Sequence, residues 1–160
     1  MQLHQRPHGL RRAAAEAALG PDAELAEQGF TYILDWCADD QPFPLNVQAG
    51  RMISVPYSVE LNDITLFLGT GVQGADFAQL VSDQFEVLHE ESKRRPGAVM
   101  ALSLHPFLIN QPFRHKYLVQ VLEEVRGHDD VWFATSDEIA DWYLERCYDD
   151  AVAALEAARG

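Results

Sequence analysis

The segment Ala98 to Leu104 (Ala-Val-Met-Ala-Leu-Ser-Leu) carries a single hydroxyl and no charge. It is far short of the roughly 20 apolar residues that cross a bilayer. Its lack of alternation also rules out a sheet face wetted on one side. It therefore predicts a strand buried on both faces, the usual condition of a parallel sheet covered by helices. The flanking sequence supplies such helices. Ala75 to Glu91 places Phe77, Leu80, Val81, Phe85 and Leu88 on one helical face. Lys93-Arg94-Arg95-Pro96-Gly97 closes it, cations at the negative end and then two breakers. Phe113 to Val125 forms a second helix with Tyr117, Leu118, Val121 and Leu122 as its stripe.

The remaining elements follow the same alternation. Asp22 to Gln28 predicts a short helix that Gly29 ends in a left-handed conformation. Phe30 to Leu34 and Arg51 to Val55 predict strands, separated by a polar loop with Pro42 and Pro44. Val131-Trp132-Phe133 predicts another strand. Thr135 and Glu138 then have the spacing of a capping box before a last helix carrying Ile139, Trp142, Tyr143, Val152 and Leu155. This order predicts an α/β fold with a mainly parallel sheet of about four strands. A closed barrel of this type takes about eight, so the sheet is either small and open or part of something larger. Met1 to Gly20 differs from the rest. It is basic at first and then alanine-rich, and Pro7 interrupts the four-residue spacing of His4 and His8, so a solvated leader is expected there. The expected domain is 21–160.

Charge excludes two classes of partner. Twelve basic and 25 acidic residues give a formal charge of −13 over 160 residues, which disfavours nucleic acid and anionic membrane surfaces. Neither a secretory signal nor a membrane-spanning run is evident. The two cysteines, Cys37 and Cys147, stand in unrelated contexts, and reduced thiols in a cytoplasmic protein are expected.

In parallel α/β folds, chemistry gathers at the carboxyl ends of strands. Three places qualify. Asp35-Trp36-Cys37-Ala38-Asp39-Asp40 follows a strand; its carboxylates could bind a metal, orient a histidine or arginine, or form a solvated acidic turn. Val55 to Asp63 follows another and interleaves polar groups with apolar anchors, although Asn62-Asp63 is also ordinary turn chemistry. Ser103-Leu104-His105-Pro106 ends the most apolar strand. His105 there could be a general acid or base, or a structural histidine bonded to a loop carbonyl. His89, His115 and His128 fall on or beside helices, where surface roles are expected. The sequence has no phosphate-cradling glycine loop, no Cys-x-x-Cys and no G-x-S-x-G elbow.

Taken together, "GFTYILDWCADDQPFPL", "RMISVPYSVELND", "ALSLHPFLINQPFRHKYLVQVLEEV" and "VWFATSDEIADWY" resemble, in that order, the C-terminal half of the polysaccharide deacetylase (NodB-homology) family. The branch they are most similar to contains allantoinase-like and peptidoglycan-deacetylase-like cytoplasmic members. The resemblance implies half of a distorted, incomplete parallel β/α barrel. It also implies hydrolysis of C–N bonds other than peptide bonds, in an N-acetylated amino sugar or a cyclic amide. A full-length member is expected to hold a divalent, zinc-like metal with one aspartate and two histidines, and a second aspartate to act as base. Carried over, His105 resembles the late-strand general acid and Leu104 the apolar wall of the acyl pocket. Asp35, Trp36, Asp39 and Asp40 resemble an acidic loop bordering the site, with Asp35 joining His105 as a catalytic candidate. Tyr57, Glu60, Asn62 and Asp63 match the "PY-x-x-E-x-ND" block, and Arg114 a basic position after the histidine strand; both are read as substrate-binding.

Nothing in the sequence resembles the family's aspartate pair or histidine pair, so no metal is expected in this chain. Acid catalysis alone contributes about 10²–10⁴-fold, and the chain by itself is expected to be inactive. The readings left open are a truncated hydrolase, half of a split enzyme completed by another chain, and a non-catalytic binding or regulatory remnant. A homo-oligomer or a complementing half would cover the exposed flank such a half-barrel leaves.

Overall fold

A computed structural model describes residues 21–158. The expected leader, with His4 and His8, lies outside the described residues. The described chain divides into two compact units, one of residues up to Pro56 together with those from Ala134 onward, the other Tyr57–Phe133.

The first unit opens with α1 (Pro21–Glu27), ended as expected by Gly29 at φ +91°. Three two-residue strands follow: β1 (Tyr32–Ile33), β2 (Phe43–Pro44) and β3 (Ile53–Ser54), in the sheet order β1-β3-β2. β1 runs parallel to β3, with Tyr32 opposite Ile53; β2 runs antiparallel, with Phe43 opposite Ser54. β2 falls in the segment expected to be a polar loop. Phe43 and Leu45 are buried there, and Pro44 is tolerated because an edge strand can do without one N–H. Adjacent residues of the central strand feed opposite sides, as a pleated strand requires. Met52 joins Ala26, Ile33, Phe43 and Leu45, while Ile53 and Val55 join Ala140, Tyr143 and Ala151.

The last helix of the sequence reading is two helices, α5 (Ser136–Arg146) and α6 (Tyr148–Ala157) under the numbering used below, separated at Cys147 (φ −124°, ψ −22°). The Thr135–Glu138 capping box is present: the Glu138 N–H donates to Thr135 Oγ1 at 3.3 Å, and Glu138 Oε2 accepts the Thr135 N–H at 2.7 Å. Arg51 pairs with Asp149 and covers the Tyr148 ring at 4.8 Å. Burial pushes the Tyr148 phenol and the Cys147 thiol above their ordinary values. Cys37 and Cys147 are both free thiols.

The second unit contains α2 (Gly74–Ser92), α3 (Pro106–Ile109) and α4 (Pro112–Arg126), preceded by a π-helical turn (Thr65–Thr70) that the sequence did not suggest. Its core joins Leu61, Leu66, Phe67, Phe77, Ala78, Val81, Leu108, Ile109 and Val121. Each fully buried side chain of this size contributes roughly 1.5–3 kcal/mol. Two expected core positions are exposed instead, Leu80 at 41% and Leu122 at 38%.

Ala98 to Leu104 also differs from expectation. It makes one parallel bridge, Ser103 with Asn62, and its residues are half-buried; Met100, Leu102 and Leu104 pack on the core from one side. Val131 to Phe133 forms no strand, with Trp132 and Phe133 more than half exposed. A strand exists only where a ladder partner runs beside it, and among the described residues of this unit only Leu61–Asp63 is paired in that way. Among the described residues no helix is long and apolar enough to cross a membrane.

Two tests follow from this packing. A Cβ on Gly74 would overlap the Tyr117 ring, with Cε2 at 2.7 Å. Gly74→Ala is expected to destabilise the protein by about 1–3 kcal/mol, and Gly74→Ala/Tyr117→Leu to recover most of that in thermal melts. The Thr135 backbone N–H, and then its hydroxyl, hold the Glu138 carboxyl below its ordinary 4.5. A depressed carboxylate stabilises the fold above its unfolded pKa and loses that contribution as pH falls through the folded value. The Tm gap between wild type and Glu138→Gln should therefore be largest near neutrality and close in acid.

Candidate functional site

In the second unit the extended segment through Asn62 meets the end of the Ala98–Leu104 run. Their backbones exchange two hydrogen bonds, Asp63 N–H to the Ser103 carbonyl at 3.0 Å and Ser103 N–H to the Leu61 carbonyl at 3.1 Å. Ser103 Oγ also donates to the Ser58 carbonyl at 3.1 Å. This register delivers His105 to Asp63. The Asp63 side chain is 0% exposed and uses both oxygens on one residue: Oδ2 accepts the His105 backbone N–H at 2.8 Å, and Oδ1 lies 2.7 Å from His105 Nδ1.

A carboxylate only accepts, so the proton in that second contact belongs to Nδ1. Nε2 is then the working nitrogen, an acceptor when the ring is neutral and a donor when it is protonated. The ring remains 37% exposed. Pro106 begins α3 immediately afterwards, and the His105 carbonyl accepts the N–H groups of Leu108 and Ile109 at 2.9 and 3.0 Å. The backbone of His105 is thus fixed on both sides, and Phe107 meets its ring edge-on at 5.8 Å.

The other residues of the "PY-x-x-E-x-ND" block are engaged locally. Asn62 Oδ1 accepts the Ile64 N–H at 3.0 Å, and Asn62 Nδ2 donates to the Tyr57 hydroxyl at 3.2 Å. Glu60 is exposed, and its Oε2 lies 3.5 Å from Ser58 Oγ. Leu104 packs against the core. The Arg114 guanidinium lies 4.3 Å from the Phe67 ring centroid and 4.8 Å from that of Phe113, and Nη1 donates to the Leu108 carbonyl at 3.3 Å. Tyr57, Asn62, Asp63, Leu104, His105 and Arg114 all belong to this unit.

Asp35, Trp36, Asp39 and Asp40 belong to the other unit. Trp36 Nε1 donates to Asp22 at 3.1 Å, and Asp39 Oδ1 accepts the Gln41 N–H at 3.1 Å, a local turn. Asp35 is exposed and, with Phe30, Tyr32, Leu34 and Asp137, lines an open cleft of about 550 Å³ beside β1. Tyr32 donates to Asp137 Oδ1 at 2.7 Å, and that bond raises the phenol above its ordinary value. Tyr32 and Asp137 escaped the sequence reading because 105 positions separate them.

Around His105, the described residues do not provide an aspartate and two histidines that could cage a metal. Among them one group of three has ligand atoms close enough to do so, namely His89, His128 and Asp130. No sequence signal marks it. His89 and His128 come from different elements, and no spacing rule joins them.

No family model matches the chain. A Schizosaccharomyces pombe protein described as a polysaccharide deacetylase is 31% identical over 121 residues, covering 69% of this chain and 38% of that protein. The fold is similar to a Pseudomonas aeruginosa structure described as a polysaccharide deacetylase (TM-score 0.72, 29% identity, 80% of this chain and 44% of that one). It is also similar to the Puue allantoinase (TM-score 0.71, 29% identity, 81% and 45%). The chain thus spans less than half the length of each.

Removing the Asp63 carboxylate leaves the part-buried His105 N–H without its acceptor. Asp63→Ala should cost about 3 kcal/mol, the loss of a charge-assisted hydrogen bond plus an unmet donor. Denaturant titration checks this, and Tyr57→Phe, which touches only the rim of the same network, should cost much less.

Proposed function

The chain belongs to the polysaccharide deacetylase family, less than half of whose compared members it spans, and we propose that it supplies the acid half of a C–N hydrolase site. His105 is the general acid in this reading, and Asp63 the positioning residue behind it. The observation that carries it is the two-point grip of a fully buried carboxylate on the backbone and ring of one half-exposed histidine.

The chemistry is proton delivery. An amide nitrogen is a poor leaving group until it is protonated. His105 Nε2, when it carries the proton, donates it to that nitrogen as the C–N bond breaks, and the bonding electrons stay with the departing amine. Asp63 stabilises the imidazolium beforehand and holds the tautomer afterwards. Leu104 offers an apolar wall beside the histidine. Phe107 and Phe113, both largely exposed on α3 and α4, offer stacking surface for a sugar ring or a flat cyclic amide. Asn62 and Tyr57 serve as scaffold to the Asp63 segment.

In a full-length member a divalent metal would activate the water. Among the described residues, those around His105 do not fit that group, and in this reading the base comes from a complementing polypeptide segment, the protein's own or a partner's. A reduced, cytoplasmic setting accords with the two free thiols.

The test uses the completed hydrolase, in which this chain acts together with that segment. His105→Ala should lower kcat by about 10²–10⁴-fold on an N-acetylated amino sugar or cyclic amide, with KM little changed, and added imidazole should restore part of the rate. Asp63→Asn should lower kcat less and keep KM. Full activity in His105→Ala would remove the histidine from the mechanism and leave a binding role.

A further inference from the structure

His89 lies in the last turn of α2, and His128 and Asp130 stand two residues apart in the loop after α4. The loop is pinned by its backbone. Gly127 N–H bonds the Glu123 and Glu124 carbonyls, His128 N–H bonds that of Val125 at 3.2 Å, and Val131 N–H returns to the His128 carbonyl at 3.3 Å. The three side chains converge. His89 Nε2 is 3.0 Å from both Asp130 oxygens, the two imidazoles meet edge-on with centroids 4.7 Å apart, and the ligand atoms all lie within 4.8 Å of one another. Phe85, buried one turn before His89, walls the back. It stacks on His89 at 5.3 Å and meets His128 edge-on at 4.9 Å.

An ordinary histidine–aspartate bond needs one imidazole. Here a second ring nitrogen lies within 4.8 Å of the same carboxylate. Two imidazole nitrogens are borderline donors, and with one carboxylate oxygen they suit zinc, cobalt, nickel or copper. Calcium and magnesium demand more oxygens. Bonds of about 2.0–2.2 Å around a tetrahedral ion put the donor atoms a little over 3 Å apart. The His89–Asp130 pair is close to that separation, and the His128 ligand atom lies within 4.8 Å of both partners. The His89 side chain is only 17% exposed while that of Asp130 is 66% exposed, so the fourth position opens to water on the aspartate side.

We propose that His89, His128 and Asp130 bind one borderline divalent transition-metal ion, which ties the end of α2 to the loop after α4. Binding to the folded chain alone raises its stability in proportion to occupancy.

The test titrates the whole 160-residue chain, stripped of metal, with Co²⁺ and then Zn²⁺. One equivalent should bind, with visible cobalt bands and a rise in Tm. His89→Gln and His128→Gln should each weaken binding at least tenfold and abolish the Tm rise; Asp130→Asn should weaken it less. The His4→Gln/His8→Gln double variant and His115→Gln should bind as wild type does. If the affinity instead follows His4 and His8, or if wild type takes up no stoichiometric metal, the proposal fails and the cluster is a hydrogen bond packed on an aromatic ring. A measurement on wild type covers the case in which a variant misfolds. Zinc should shift the ring-nitrogen resonances of His89 and His128 together, and unmoved resonances overturn the site.

Discussion

One buried carboxylate organises the Tyr57–Phe133 unit. Asp63 is wholly withdrawn from water, and a carboxylate there is costly unless its lone pairs are satisfied by strong donors. Both donors come from His105, 42 positions further along the chain. The need to satisfy one charge therefore fixes where two distant segments cross. Much else follows from that crossing. The Leu61–Ser103 exchange sets the register, α3 starts on the next residue, and the π-helical turn begins just after the carboxylate, with the Leu66 N–H reaching back to the Asn62 carbonyl at 3.0 Å.

This arrangement also divides the labour on the imidazole. With Nδ1 committed to Asp63, only Nε2 can work, and the ring cannot rotate away without exposing an unmet charge. Preorganisation of that kind is what proton delivery at a fixed point requires, since a general acid must sit within hydrogen-bond reach of the atom it serves. The same economy explains what is absent nearby. The carboxylate that grips the histidine cannot also be a base, and no pair of histidines stands beside it to hold an ion among the described residues. The chain covers less than half the length of its relatives, and in the proposed reading the base lies in the part it does not span.

The helix pair α2 and α4 carries a second convergence of polar groups, and it too depends on packing. Phe77, Val81 and Val121 seal the contact between the helices. Ser82 reaches across to Glu124 at 2.7 Å, and the aromatic wall at Phe85 then presents His89 to the pinned loop. A rigid apolar seam thus places three ligating side chains that no local rule would have grouped.

The sequence by itself determined the elements whose causes are local. The α2 and α4 helices follow from apolar spacing, the start of α5 from the Thr135–Glu138 pair, and the end of α1 from Gly29. It also revealed the family, because four blocks in order are a property of the chain. It misjudged β2, where an edge position lets Pro44 join a sheet. It misjudged Ala98–Leu104, whose apolar character describes a strand but cannot supply the neighbours that make one. Cys147, Leu80 and Leu122 were misplaced for a like reason, since periodicity identifies a face but not how much of it finds a partner. Tertiary structure alone decided that Asp63 serves His105 and that Tyr32 meets Asp137. It alone decided that His89, His128 and Asp130 share one corner. Each of these joins residues tens of positions apart, and such contacts are set by the crossing of packed segments, which no local pattern records.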